Sequence, residues 1–316
     1  LNEEEMKSKT FLFSLFFLFF LGTCKGGGNL IAEEDNKQSF TPRFLIEGKI
    51  IFQSNFDGDN EIYLIEGKNL KKLTDNTWED EYPVWSPEGK RIAFSANPKG
   101  NYDIFVLDLE SGGIKAATSL SSDEKSPCWF PDGKRIAFSR HLKKFLREEI
   151  DIFEVSLSTG EIKKVISDFS RNNAIPHISP SAPLLTFTAK RTIGWDVALY
   201  DLEKRKSEFL TEGGKGCRAR FSRDGKKLVY VDSSADGKGD IWIMNHDGSE
   251  KTRLTFWDKT YDYFPCFSPD GKNIAFNSSS QRDHNGDWKL FIFDLQSREA
   301  RLLFDSPGND IFPDWY

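Results

Sequence analysis

Short apolar runs recur along this chain, each set beside a polar turn and followed by a second alternating run. The first kind closes at Phe52, Phe94, Phe138, Phe187, Tyr230 and Phe276, at intervals of 42 to 49 residues. Ahead of it stands a repeated turn, as in Trp85-Ser86-Pro87-Glu88-Gly89-Lys90-Arg91-Ile92-Ala93-Phe94 and Phe267-Ser268-Pro269-Asp270-Gly271-Lys272-Asn273-Ile274-Ala275-Phe276. The copies around Asp132-Gly133 and Asp224-Gly225 read the same way. Gly tolerates positive φ and Asp bonds back to its own backbone, so each copy predicts strand, tight turn, strand. A third strand follows, opening at Glu61, Asp103, Asp151, Asp196, Asp240 and Lys289. A fourth ends in a Leu-Thr signature, as at Leu73-Thr74, Leu210-Thr211 and Leu254-Thr255. Four short strands per repeat of this length predict a propeller blade, and blades must stack to bury both faces.

The two ends complete each other. The first repeat begins at Gly48-Lys49-Ile50-Ile51-Phe52 without the Pro-x-Trp strand that opens the others. The chain finishes on Phe312-Pro313-Asp314-Trp315-Tyr316, which matches Tyr82-Pro83-Val84-Trp85-Ser86. The expected fold is therefore all-β: a six-bladed β-propeller over residues 47–316, closed by the C-terminal strand completing the first blade. Closure hides two strand edges that would otherwise invite aggregation. Ser179-Pro180-Ser181-Ala182-Pro183 departs from the turn pattern, so a different turn is expected there. Insertions are expected at Arg140–Arg147, which is basic, and at Ser278–Asp287.

Composition agrees with a β fold. The 316 residues are 38% hydrophobic, with 28 Phe and 8 Trp, ample material for a core without disulfides. The net charge of −6 argues against a nucleic-acid partner. Lys7 and Lys9 precede an apolar run from Phe11 to Leu21, too short to span a bilayer as an ordinary helix. Residues 1–24 read as a signal peptide starting at Met6. Leu21-Gly22-Thr23-Cys24 resembles a lipobox, which makes Cys24 the expected lipidation site; an ordinary secretory signal with an incidental Cys is the competing reading. Residues 25–46, opening with Lys25-Gly26-Gly27-Gly28, read as a flexible tether. Cys128, Cys217 and Cys266 form no CxxC pair and are expected to be unbridged small residues.

Two sets of equivalent positions are candidate binding sites. Three residues before each Pro-x-Trp proline stand Asp80, Glu124, Asn173, Gly216, Asp262 and Asp310. In a closed ring the four carboxylates would gather near a channel mouth and draw a basic partner segment or cation; alternatively each caps its own turn. Directly after the proline stand Val84, Cys128, His177, Arg220, Cys266 and Asp314. Their parity opposes the buried Trp or Phe, so they are expected to line the channel, where His177, Arg220 and Asp314 could meet a ligand. His141, His177, His246 and His284 show no ligand spacing, so no metal site and no cofactor are expected. Asp57-Gly58-Asp59-Asn60-Glu61 reads as a hairpin turn rather than a Ca²⁺ loop. Nucleophile-elbow and phosphate-loop motifs are absent, so no catalytic residue is assigned.

The repeated Pro-x-[Trp/Phe]-Ser-Pro-Asp-Gly-Lys-x-Ile-Ala-Phe unit resembles the propeller repeat of the TolB family, periplasmic components of the Tol-Pal envelope system. The resemblance covers Glu47 to Tyr316; the α/β domain that precedes the propeller in that family has no counterpart in it. It implies a non-enzymatic scaffold in the bacterial envelope that binds a protein or peptide at one channel mouth, as the family binds the peptidoglycan-associated lipoprotein. A monomer held to a membrane by its lipid anchor is expected. The alternative is a carbohydrate-active or lyase-like enzyme with a metal-dependent site in the channel, since similar repeats occur in such propellers.

Overall fold

Each second strand is apolar on both faces because both faces are covered. Ile50, Ile51 and Phe52 are fully buried, as are Ile92 and Ala93. A continuous apolar run of this kind marks a strand with no wet side. The computed structural model describes residues 40–144, 147–166, 169–282 and 287–316. The expected signal peptide, the expected lipidation site Cys24 and the expected tether up to residue 39 lie outside the described residues.

The described residues form six four-stranded antiparallel sheets and no helix. Their inner strands are Asp80–Trp85, Asp123–Trp129, Asn173–Ile178, Gly216–Phe221, Tyr261–Phe267 and Ile311–Trp315. The last belongs to blade 1, where it pairs with Lys49–Ser54 through Ile50 opposite Trp315 and Ile51 opposite Asp314. Lys49 N–H donates to the Tyr316 carbonyl at 2.6 Å and Tyr316 N–H returns to Lys49 at 2.8 Å. Gly48 is required beside this seam, because a Cβ there would meet the Tyr316 carbonyl at 2.5 Å and its φ is +78°. The all-β, six-bladed, self-closing propeller read from the repeats is the architecture found.

Aromatic pairs hold the blades internally. Phe52 faces Tyr63, Phe94 faces Phe105, Phe138 faces Phe153 and Phe276 faces Phe291 across adjacent strands, at 5.6–6.3 Å between ring centroids. Each such Phe is almost wholly buried, so truncation to Ala would cost about 3–5 kcal/mol. In blade 4 the partner position is Ala198, and Phe169 fills the space with an edge-on contact to Phe187 at 5.6 Å.

Three details concern segment ends and turns, the first of them a departure from expectation. The last part of the expected tether, residues 40–46, docks on the propeller: Arg43 N–H bonds the Leu303 carbonyl at 2.8 Å and Phe40 packs on Phe56. Its apolar side chains, with Ile46 buried, supply the reason. The basic insertion of blade 3 extends two ten-residue strands, Arg135–Lys144 and Arg147–Ser156. Glycines 89, 133, 225 and 271 take positive φ in the repeated turns, whereas the Ser179–Pro183 turn uses no such residue.

Candidate functional site

Every inner strand carries a bulge at the same place. The register with the second strand shifts between Glu81 and Val84, Lys125 and Cys128, Ala174 and His177, Cys217 and Arg220, and Tyr263 and Cys266. Within each shift one non-glycine residue adopts a left-handed conformation: Tyr82, Ser126, Ile175, Arg218, Phe264 and, in the closing strand, Phe312, with φ of 54° to 58°. Such a backbone costs about 1–3 kcal/mol per residue and persists only where its surroundings fix it. At four of the six positions a side chain of the preceding blade fixes it. Tyr82 N–H donates to Gln53 Oε1 at 2.8 Å, Ile175 N–H to Ser139 Oγ at 2.8 Å and Arg218 N–H to Thr188 Oγ1 at 2.9 Å. Phe312 N–H donates to Asn277 Oδ1 at 3.1 Å.

The bulges turn all six side chains into one cavity of about 820 Å³ at the wide mouth of the channel. They build an aromatic arc. Tyr82 meets Phe312 at 4.2 Å, Phe312 meets Phe264 at 4.0 Å, and Trp288 lies 5.9 Å from Phe264. Cations sit on the arc: Arg218 over Phe264 at 4.9 Å and over Tyr263 at 5.2 Å, and Lys125 over Tyr102 at 3.5 Å. Lys215 and Arg282 also line the cavity. Of the lining carboxylates described, Asp123 is engaged by Tyr102 N–H at 3.0 Å. The wide mouth is thus aromatic and cationic. Sequence reasoning missed these residues, although one signal was present: each of them but Arg218 stands immediately before a proline.

Deeper in, the channel narrows to the residues expected to line it. Val84, His177 and Arg220 border both the wide cavity and a smaller one of about 290 Å³ at the other end. Arg220 of blade 5 reaches past Cys266 of blade 6 to Asp314 of blade 1, at 3.0 Å, and donates to the Pro313 carbonyl at 2.9 Å. The other Asp314 oxygen accepts Trp85 N–H at 2.7 Å. Burial raises the Asp314 carboxyl above its ordinary range, opposed by the Arg220 charge. His177 accepts Phe221 N–H on Nδ1 at 3.2 Å, which leaves the ring proton on Nε2. Burial, helped by neighbouring Arg220, holds its pKa well below the usual value, so it is neutral. Cys128 and Cys266 are buried here, with thiols pushed up to about 12 by desolvation. His177, Arg220 and Asp314 are therefore brought together where the two cavities meet.

The expected acidic ring is placed elsewhere. Asp80, Glu124, Asp262 and Asp310 are all fully buried, against the expectation that they face a mouth. They sit where one blade hands over to the next; a neighbouring group holds one oxygen of each, while Asp80 Oδ1, Glu124 Oε2 and Asp262 Oδ2 are buried without a hydrogen bond among the described residues. Asn76 bridges Asp80 and Glu61, its Nδ2 donating to Asp80 at 2.7 Å and its N–H to Glu61 at 2.6 Å. Ser122 Oγ donates to Glu124 at 2.6 Å, Ser278 Oγ to Asp262 at 2.7 Å, and Ser54 Oγ to Asp310 at 2.6 Å. Burial raises all four pKa values: Asp80 to about 7, with Glu61 adding to it, Glu124 to about 8, with Asp103 adding to it, and Asp310 to about 6. These carboxyls join blades and reach no solvent. Among the described residues no three His, Cys, Asp or Glu side chains converge to hold a metal.

Comparison with known proteins places this geometry. Dipeptidyl-peptidase 5 of Porphyromonas gingivalis is 27% identical over 248 residues, 73% of this chain and 34% of that protein. The Protein TolB homolog of Chlorobium luteolum is 34% identical over 76 residues, 23% of this chain and 17% of its own length. The chain spans half or less of the length of the curated relatives it matches. The crystal structure of TolB from Acinetobacter baumannii superposes with a TM-score of 0.71 at 22% identity, covering 85% of this chain and 66% of that one, a likeness of fold. The profile of the TolB beta propeller domain matches residues 24–157 and 126–310, which together take in all six blades except the closing strand of the first. The chain belongs to the TolB beta propeller domain family.

Proposed function

We propose that this chain is a non-enzymatic binding propeller of the bacterial cell envelope that receives a protein or peptide partner at its wide channel mouth. The carrying observation is the aromatic and cationic arc that six strained inner-strand residues turn into one cavity. Strain kept at six equivalent positions, four of them held by a side chain of the preceding blade, builds a display surface rather than a core. Half-buried aromatics with cations among them are the side chains that dominate binding energy at protein interfaces. The Arg220–Asp314 pair stops the cavity midway, so a partner segment inserts into the mouth and is not threaded through.

Family membership supports the envelope location, and a partner akin to a peptidoglycan-associated lipoprotein fits a relative named for the Tol-Pal system. We further assign the anchor to a lipidated Cys24, on the sequence alone. The partner surface is the set Tyr82, Lys125, Arg218, Phe264 and Phe312 in place of the four buried carboxylates. The test is cross-linked capture from envelope extract, using the full chain beside a Tyr82→Ser/Phe312→Ser variant of matched thermal stability. A protein retained by the native chain and lost by the variant is expected. Retention of the same protein by both would contradict a partner site at this mouth.

A further inference from the structure

Arg218 is a half-buried cation of the wide mouth with no counter-charge among the described residues. Arg218 occupies the blade-5 bulge, its backbone pinned by Thr188, so its side chain is delivered into the cavity. Its Nη1 donates to Cys217 Sγ at 3.2 Å, and its guanidinium lies against the Tyr263 and Phe264 rings. Its Nε is buried and makes no hydrogen bond. Among the described residues no carboxylate pairs with it, and the titratable groups beside it are Cys217, Tyr263 and Tyr82. The other arginine of the channel, Arg220, is neutralised by Asp314 at 3.0 Å. Lys125 is paired with Glu81 at 3.3 Å. A partly desolvated guanidinium with an unused N–H edge is a costly feature unless an anion completes it.

We propose that Arg218 is the anchor for a carboxylate on an incoming peptide, an acidic residue flanked by apolar or aromatic side chains. The proposal rests on the partner-binding reading above and names the chemistry that the mouth selects. A guanidinium offers a planar pair of donors that matches a carboxylate. Tyr82, Phe264, Phe312 and Trp288 surround the position and would pack the flanking apolar side chains. Their rings are tilted on one another, by 50° for Tyr82 and Phe312 and 49° for Phe264 and Phe312, and so make a corrugated wall. Such a wall suits peptide side chains better than the flat face of a sugar ring. The flanking charges Lys215 and Arg282 favour an acidic approach.

The test uses the full chain titrated with acetyl-Ser-Phe-Glu-Phe-Ser-amide, with the same peptide carrying Gln for Glu, and with digalacturonate. Binding is read by calorimetry and by tryptophan fluorescence. The Glu peptide binds, and the Gln peptide binds roughly tenfold or more weakly, the loss expected for one charge-assisted pair. Arg218→Gln abolishes that preference, and Arg218→Lys, which keeps the charge and loses the fork, retains part of it. Melting curves of the variants establish that each is folded; should Arg218→Gln be unfolded, the Lys variant decides alone. Equal affinity for the Glu and Gln peptides would overturn the proposal, as would a preference that survives Arg218→Gln or no peptide binding at all. Binding of digalacturonate with neither peptide bound would overturn the peptide assignment. Mouth-dependent capture of a partner together with equal Glu and Gln affinities would leave the partner site standing and remove only the role of Arg218.

Discussion

Arg220 and Asp314 close on each other at 3.0 Å although blade 6 lies between their blades. The pair bridges the channel beside the strand that seals the ring, because Asp314 belongs to the C-terminal closing strand. The channel ion pair and the ring closure thus share a residue.

Asp314→Asn is expected to destabilise the propeller by about 3 kcal/mol, since it strands a largely buried guanidinium. Replacing both partners, as in Arg220→Met/Asp314→Leu, recovers most of that loss. Denaturant unfolding of the four species in a double-mutant cycle measures it. A purely additive cycle would show the two residues to be energetically independent.

Ser139 Oγ accepts the N–H of Ile175, the β-branched residue among the six strained positions. Ser139→Ala leaves that N–H without its partner and is expected to cost about 1–3 kcal/mol. The change appears as a lowered denaturation midpoint with an unchanged slope. An unaltered midpoint would mean that the bulge is held by its proline and packing alone.

The buried carboxyls make stability pH-dependent in an unusual direction for acids. Asp80 and Glu124 have folded pKa values raised to about 7 and about 8, above the ordinary carboxylate range. The folded chain therefore holds protons that the unfolded chain releases, and stability falls as pH rises through those values. Their full contribution is present only below the ordinary range. The melting temperature is expected to fall between about pH 5 and about pH 9, and Asp80→Asn with Glu124→Gln flattens the curve. A melting temperature that climbs over this window would refute the assignment.

Because those acids are buried between blades, neutralising Asp80, Glu124, Asp262 and Asp310 together is expected to alter stability, leaving partner capture per folded molecule unchanged. Capture compared at equal folded concentration checks this. Selective loss of capture would return the acidic residues to the binding site.

Much of the architecture was legible because it depends on local chemistry repeated. Asp-Gly turns, Leu-Thr endings and the matching terminal strands point to one blade and its closure without reference to any distant contact. The lining role of His177, Arg220 and Asp314 followed from strand alternation. The binding arc went unread although Tyr82 shares the parity of Val84. A regular strand does not show the left-handed bulge at each inner strand, which is what gathers these residues at one mouth. The raised pKa values of Asp80 and Glu124 were equally hidden, since they depend on burial and on Glu61 and Asp103 of the preceding blade. Neither neighbour is near in sequence.

The central claim is that a partner enters the wide mouth. A photo-cross-linking amino acid placed at Phe312, inside the aromatic arc, tests it against one placed at Pro131, which borders the narrow end. Both are introduced into the full chain and irradiated in envelope extract. The account predicts one discrete cross-linked partner from position 312 and none from position 131. The same partner from position 131, with position 312 silent, would contradict it.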